Sequence, residues 1–94
     1  MIRVIIERHI ADTLEIPYEE TARKTIQLAV QASGFVSGES LKNAFDPNHR
    51  VILSTWRSVQ DWQRWSQSDE RKAMLDQLRP MMDKEEHVTV LELS

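Results

Sequence analysis

Several residue types and patterns are scarce or missing in this chain. Its 94 residues include no cysteine, only two glycines and three prolines, and no long apolar run. Without cysteine the protein cannot form disulfides, thiolate nucleophiles, iron–sulfur clusters or cysteine-bound zinc sites. The N-terminal residues are apolar only briefly, too short a stretch for a signal peptide or a membrane span. We therefore expect a cytoplasmic protein with no membrane partner.

Positive charge and cofactor motifs are scarce as well. The formal net charge is −3 and no basic run occurs, whereas nucleic-acid binding usually shows as clustered Lys and Arg. There is no dinucleotide fingerprint, no P-loop lysine and no nucleophile elbow. The sequence therefore predicts no nucleic-acid partner and no cofactor.

What is present is typical of one folded unit. Hydrophobic residues make up 40% and charged residues 29% of the chain, which argues against disorder. The length suits one domain spanning residues 1–94.

The hydrophobic pattern predicts alternating strands and helices. Residues 2–9 alternate as a strand, with Ile2, Val4 and Ile6 on one face. The other predicted elements are a helix from Pro17 to just before Gly34, strands 35–45 and 50–56, helices after Ser58 and Ser68, and a last strand at 87–93. This order predicts an α+β fold of the ferredoxin-like β-α-β-β-α-β type, with an antiparallel sheet and the second helix broken in two.

Short-range signals place the turns and the helix ends. Gly34 can end the first helix because glycine accepts positive φ without penalty. Asp46-Pro47-Asn48 predicts the turn between the second and third strands. Ser58 and Ser68 suit N-caps, with Asp61 three residues after the first of them.

Both faces of the predicted sheet carry apolar residues. In the third strand Val51 opposes Ile52, and in the last strand Val88 and Val90 oppose Leu91. Two helices cover only one face of a four-stranded sheet, and a second copy of the sheet is the simplest cover for the other. The sequence thus predicts a homodimer. A monomer with scattered surface aliphatics stays open as the alternative.

The three histidines show no metal-site spacing. Strands one and four are neighbours in this fold, so His9 is expected to approach His87. A metal or an acid–base pair with Glu7 or Glu86 stays open, but solvated histidines at a sheet rim are the simpler interpretation, because metal sites need three or four convergent ligands.

Three segments, in this order, carry a family resemblance: Gly34-Phe35-Val36-Ser37, Thr55-Trp56-Arg57-Ser58 and Trp65-Ser66-Gln67-Ser68-Asp69-Glu70-Arg71. They resemble the antibiotic biosynthesis monooxygenase (ABM) family. The resemblance implies a dimeric α/β barrel, in which two sheets face each other and each subunit has a pocket between sheet and helices. Some members oxidise phenolic or quinol-like polycyclic substrates with O₂, using neither metal nor flavin, and others degrade haem.

The residues of the haem-degrading branch are not matched. That branch has an asparagine near the end of strand one, a tryptophan in the second helix and a haem-ligating histidine ten residues later. Trp65 matches the tryptophan, but the other two positions are occupied by Glu7 and Leu75. Because leucine cannot ligate iron, we do not expect haem degradation by this design.

The cofactor-free branch is matched more closely. It has a tryptophan preceded one helical turn earlier by a polar residue, and Trp65 and Asp61 stand there, with aspartate in place of asparagine. The catalytic candidates are therefore Trp65 and Asp61, together with His9. We expect the substrate pocket to be lined by Trp65, Phe35, Met74, Leu75 and Glu7, whereas Trp62 is the better core candidate.

These residues lead to two functional hypotheses. The first is a cofactor-independent monooxygenase that acts on a phenolic or quinol-like aromatic small molecule. The alternative is a non-catalytic small-molecule binding protein on the same fold, which could bind haem through another ligand such as His9.

Overall fold

A computed structural model describes residues 1–94 as a four-stranded antiparallel sheet with helices on one face. The elements are β1 (Ile2–His9), α1 (Glu15–Val30), β2 (Phe35–Asn43), β3 (Asp46–Trp56), α2 (Val59–Ser66), α3 (Asp69–Leu78), a short 3₁₀ turn (Arg79–Met81) and β4 (His87–Glu92). The strand order is β2-β3-β1-β4. The predicted ferredoxin-like fold class and the broken second helix are confirmed.

The central strand β1 separates the two faces of the sheet. Its even-numbered residues face the helices: Val4 is fully buried and Ile6 nearly so, and the alternation continues through Arg8 to Ile10. Successive side chains of a strand point to opposite faces, so the odd-numbered residues face away from the helices. On the neighbouring strand β3, Trp56 lies on the helix side and completes the core beside β1.

The starts of α2 and α3 follow the predicted capping signals, whereas α1 begins at Glu15, two residues before the predicted Pro17. The Ser58 hydroxyl accepts a hydrogen bond from the Asp61 N–H at 3.1 Å, and the Ser68 hydroxyl accepts one from the Arg71 N–H at 3.2 Å. Each satisfies a backbone donor that has no partner within its helix. Gly34 has φ +87° in the loop after α1. Two separate caps therefore divide the second helical segment into α2 and α3.

The turn between β2 and β3 lies earlier than predicted. Asn43 pairs with Asp46, so the turn consists of Ala44 and Phe45, and Asp46-Pro47-Asn48 already belongs to β3. The Asn43 side-chain oxygen accepts the Phe45 N–H at 2.8 Å and holds this turn. The Asp46 carboxylate does accept a hydrogen bond from the Asn48 N–H at 3.1 Å, as in a turn, but both residues lie within strand β3.

The helices leave one face of the sheet uncovered. This outer face carries five aliphatic side chains: Ile5, Leu41, Val51, Leu53 and Leu91. Leu41 is 44% and Leu91 45% exposed. No helix of the chain combines the length and apolar character that crossing a bilayer requires.

Candidate functional site

A cavity of about 50 Å³ lies between the helices and the sheet. Nine of its fifteen lining residues are hydrophobic, and four of these are aromatic: Phe35, Trp56, Trp62 and Trp65. The first residue of β2, the last residue of β3 and two positions of α2 supply these rings. We call this space the inner cavity.

Trp56 is the centre of the aromatic wall. Phe35 and Trp62 meet it edge to face at 5.4 and 5.6 Å between ring centroids, and Trp65 stacks on it at 6.4 Å. Trp62 and Trp65 reach the same ring because residues three apart share a helix face. The Trp56 indole N–H donates to the Ser54 hydroxyl at 3.1 Å. The wall is thus a connected aromatic cluster with its buried polar atom satisfied.

Two buried arginines border the same cavity. Arg8 is 3% and Arg71 6% exposed, and both donate to Glu86, a residue just before β4. Arg8 Nε lies 2.9 Å from one carboxylate oxygen and Arg71 Nη2 lies 2.5 Å from the other. A second nitrogen of Arg8, Nη1, donates to the Tyr18 hydroxyl at 3.2 Å. The Arg71 guanidinium lies 5.3 Å from the Trp62 ring centroid, a cation–π contact.

The arginines keep Glu86 ionised. Burial alone raises the pKa of this carboxyl, but the charges and hydrogen bonds of Arg8 and Arg71 outweigh that effect and lower the pKa below its ordinary 4.5. Burial acts to lower the pKa of Arg8, yet the nearby Tyr18 and Glu86 raise it overall. Two guanidinium groups and one carboxylate leave one positive charge in excess beside the inner cavity.

An open groove of about 470 Å³ lies outside the inner cavity, between the end of α1 and the start of α2 and α3. Trp65 borders both spaces and is half-buried. Its side chain therefore separates this outer groove from the inner cavity.

Three of the predicted pocket residues border the inner cavity: Trp65, Phe35 and Met74. The other two do not. Glu7 is an odd-numbered residue of β1 and lies on the outer face, opposite the helices. Leu75 follows Met74 on α3, where a step of one residue turns the side chain away from the cavity.

Asp61 borders the outer groove and not the inner cavity. Its carboxylate accepts hydrogen bonds from the Ser58 hydroxyl at 3.0 Å and from Arg64 at 3.1 Å. It also packs against Gly34, where an added Cβ would lie 2.3 Å from Asp61 Cγ. The aspartate thus serves the cap of α2 and the loop packing.

His9 lies on the outer face. Its ring stacks on His49 at 4.9 Å, and His49 Nε2 lies 3.2 Å from a carboxylate oxygen of Glu7. His87 Nδ1 is 3.8 Å from the other oxygen of Glu7. All three histidines thus gather near one carboxylate, yet no group of three or more such side chains is arranged to hold a metal ion.

Sequence reasoning missed two charged side chains of the cavity: Arg8 and Arg71. Arg8 could have been found, because it continues the alternation that buries Ile6. Arg71 lies three residues before Met74 on the same helix face, which is a weaker signal. Glu39 also borders the cavity, but the bulge between Phe35 and Ser37 reverses the alternation of β2, so its side chain points to the outer face like that of its partner Leu53.

Comparison with known proteins points to one family. The sequence model described as antibiotic biosynthesis monooxygenase matches residues 1–77. No functionally curated protein matches the chain.

Solved structures of similar fold include a protein described as antibiotic biosynthesis monooxygenase, with TM-score 0.90 and 13% identity over 100% of this chain and 99% of that one. A conserved protein from Methanosarcina mazei Go1 has TM-score 0.92 and 16% identity over 99% and 92%. A variant of SnoaB, a cofactor-independent oxygenase from Streptomyces nogalater, has TM-score 0.87 and 13% identity over 98% and 91%. At such identities these structures establish a shared fold, and a fold does not by itself select a reaction.

Proposed function

The chain belongs to the antibiotic biosynthesis monooxygenase family, and on this premise we propose that it is a cofactor-independent monooxygenase acting on a phenolic or quinol-like aromatic molecule. The observation that carries the proposal is the inner cavity, whose wall is built from Phe35, Trp56, Trp62 and Trp65. Flat aromatic ligands stack favourably on such rings. The cavity lies between sheet and helices, where the family resemblance implies a substrate pocket.

The proposed reaction draws all of its electrons from the substrate. The bound phenol loses a proton, its electron-rich anion reduces O₂, and the two radicals recombine on carbon. One oxygen atom remains on that carbon as a carbonyl, and the other leaves as water with the hydrogen of that carbon and the proton that the phenol released. The protein contributes orientation and exclusion of water. No acidic side chain faces the inner cavity, because Glu39 pairs with Leu53 on the outer face, so the phenol releases its proton to solvent water as it binds.

Substrate binding requires the inner cavity to enlarge. Its volume of about 50 Å³ is well below the roughly 300–1,000 Å³ of typical ligand pockets. Trp65 separates it from the larger outer groove, so a rotation of this one side chain would join the two spaces. We therefore assign Trp65 a double role, as a stacking surface and as the movable wall.

A non-catalytic binding protein is the second candidate. The observation that favours it is that no histidine borders the inner cavity and no carboxylate faces it, because Glu39 points to the outer face. An aromatic cavity without an effective proton acceptor would still bind flat molecules. Haem ligation by His9 would need a different site, because His9 lies on the opposite face of the sheet from the inner cavity.

We further propose that the protein is a homodimer assembled through the outer face. Leu41 and Leu91 are nearly half exposed there, beside the aliphatic residues of β1 and β3. Monomers rarely expose a contiguous apolar surface of this kind, and a second sheet facing the first would cover it. Such a pairing would give the dimeric α/β barrel.

The test is O₂ uptake by purified, chelator-treated protein with a panel of hydroquinones and anthrone-like phenols. We expect uptake well above the spontaneous rate. Trp65→Ala should lose most of it, because it removes the movable wall. Phe45→Ala is the matched control: Phe45 lies in the β2–β3 turn, is 98% exposed, and its loss should leave uptake unchanged.

Tryptophan fluorescence measured with the same phenols separates turnover from binding. Uptake no faster than the spontaneous rate in the unmodified protein would rule out the monooxygenase. If the phenols then still quench tryptophan fluorescence in a saturable way, the binding protein is the correct interpretation.

A further inference from the structure

We propose that Arg8 and Arg71 make the inner cavity selective for planar aromatic anions, with Arg71 as the group that meets the ligand's negative charge. This inference rests on the proposed function, because it concerns the same cavity. It names a property of the ligand that the aromatic wall alone does not require, namely its charge.

Both arginines border the cavity, and both are more than nine-tenths buried. Arginine is rarely buried so completely, because removing its charge from water is costly unless a partner anion lies close. Here two guanidinium groups share the single carboxylate of Glu86. This buried cluster therefore carries one more positive charge than negative charge.

Arg71 has hydrogen-bond donors that no protein group uses. Arg71 uses only Nη2 toward Glu86, and its side chain makes no other hydrogen bond. Arg8 uses more of its donors, because its Nε donates to Glu86 and its Nη1 donates to Tyr18. A guanidinium carries five N–H donors in a fixed plane, so Arg71 retains donors for a ligand at the cavity surface. These donors suit a phenolate or a carboxylate oxygen.

Arg71 lies against the aromatic wall of the cavity. Its guanidinium rests over the Trp62 ring, which also belongs to the aromatic wall. A ring stacked on that wall therefore lies within range of the positive charge. Because most of the lining is apolar, the attraction between this charge and a bound anion is stronger than it would be in water.

The other charges nearby do not cancel the excess. Glu39 is the only further charged residue that borders the cavity, and its exposed side chain points to the outer face beside Leu53. Arg50 is paired with Glu19 at 2.9 Å and does not border the cavity. The two arginines thus provide the one concentrated charge that a buried ligand meets.

The test uses 4-nitrophenol, whose anion absorbs visible light and whose hydroxyl titrates near neutral pH. Quenching of tryptophan fluorescence reports its binding, and absorbance at a series of pH values reports its ionisation. We expect the pKa of the bound phenol to lie at least about one unit below that of the free phenol, so that phenolate binds about tenfold more tightly. Simple burial without the arginines would shift that pKa upward.

Variants assign the effect to Arg71. Arg71→Gln should abolish the downward shift, while Arg71→Lys, which keeps the charge, should retain part of it. Lys72→Gln removes a positive charge from the adjacent exposed position and should behave as the unmodified protein. Saturable quenching with an unchanged or raised bound pKa would overturn the anion selectivity and leave the pocket standing. Absence of saturable quenching would overturn both.

Discussion

Glu86 is the anionic partner of the two buried arginines beside the inner cavity. It binds Arg8 and Arg71 at once, although Arg8 is 78 residues away in the sequence. Its side chain is 6% exposed, so these ion pairs are shielded from water and salt. Loss of one partner from a buried ion pair costs more than loss of a surface pair, because a charge is left buried without compensation.

Glu86→Gln is therefore expected to lower the free energy of unfolding by about 3–5 kcal/mol near neutral pH. The folded-state pKa of Glu86 is lowered, so its contribution is complete above the unfolded value of 4.5 and is lost as the pH falls from there through the folded pKa. The difference between the two proteins should accordingly shrink below pH 4.5. Urea unfolding across this range measures it.

Glu85→Gln is the control for this experiment. Glu85 precedes Glu86 and pairs with Arg79, but its side chain is 69% exposed. Exposed ion pairs contribute little to stability. If Glu86→Gln costs no more than Glu85→Gln, or if its cost is the same in acid, the buried cluster does not have the energetic role assigned here.

At the scale of the elements, the loop between α1 and β2 determines where α2 packs. Gly34 has a positive φ, and its backbone carbonyl accepts the Arg57 N–H at 2.8 Å. The Asp61 side chain lies directly over the glycine, in the space a Cβ would take. This close approach holds α2, which carries Trp62 and Trp65, against the beginning of β2.

Gly34→Ala is expected to reduce the free energy of unfolding by about 2–4 kcal/mol, because it combines left-handed backbone strain with a collision against Asp61. Chemical denaturation measures this loss. In an Asp61→Gly background the same substitution should cost less, since the whole colliding side chain, including its Cβ, is removed and only the strain remains.

Gly38→Ala, four residues later in β2, provides the comparison. Its φ is not positive, and an added Cβ would meet Phe35 Cζ at 3.1 Å, a tight contact with the end of a side chain. We expect a smaller loss of stability. Equal costs at the two positions would show that neither the positive φ nor Asp61 restricts Gly34.

For the whole molecule, the two faces of the sheet have different roles. One face packs on the helices and encloses the inner cavity, whereas the outer face is open and bears aliphatic side chains together with the histidines around Glu7. In the proposed dimer the outer face would become the interior of a barrel. The cavity and the dimer contact would then lie on opposite sides of one sheet.

Leu91→Glu is expected to convert the homodimer to a monomer while far-UV circular dichroism stays the same. The substitution places a charge in the proposed contact, and Leu91 is already 45% exposed in the single chain, so the fold itself loses little. Sedimentation over a range of concentrations gives the mass. Leu28→Glu, at a 43% exposed position on α1, makes the same change on the helix side and should remain dimeric. A monomeric unmodified protein at all concentrations would instead support the alternative of scattered surface aliphatics.

Local patterns in the sequence were sufficient to predict the element order, the broken helix and the buried face of β1. Alternation over Ile2, Val4 and Ile6 identifies a buried strand face, and Ser58 and Ser68 mark two helix starts, because both signals act within a few residues. The same alternation would have revealed Arg8. The aromatic positions Phe35 and Trp65 came from the family resemblance, and both border the inner cavity.

Only the tertiary structure decided which side chains come together at the site. The contact of Arg8 and Arg71 with Glu86 joins a strand, a helix and a loop, and no short-range pattern specifies such a contact. The turn at Ala44 and Phe45 and the bulge in β2 likewise depend on pairing with β3, which shifts the register that a simple alternation predicts. The sequence alone thus determined which elements form, whereas long-range packing decided which charges surround the cavity.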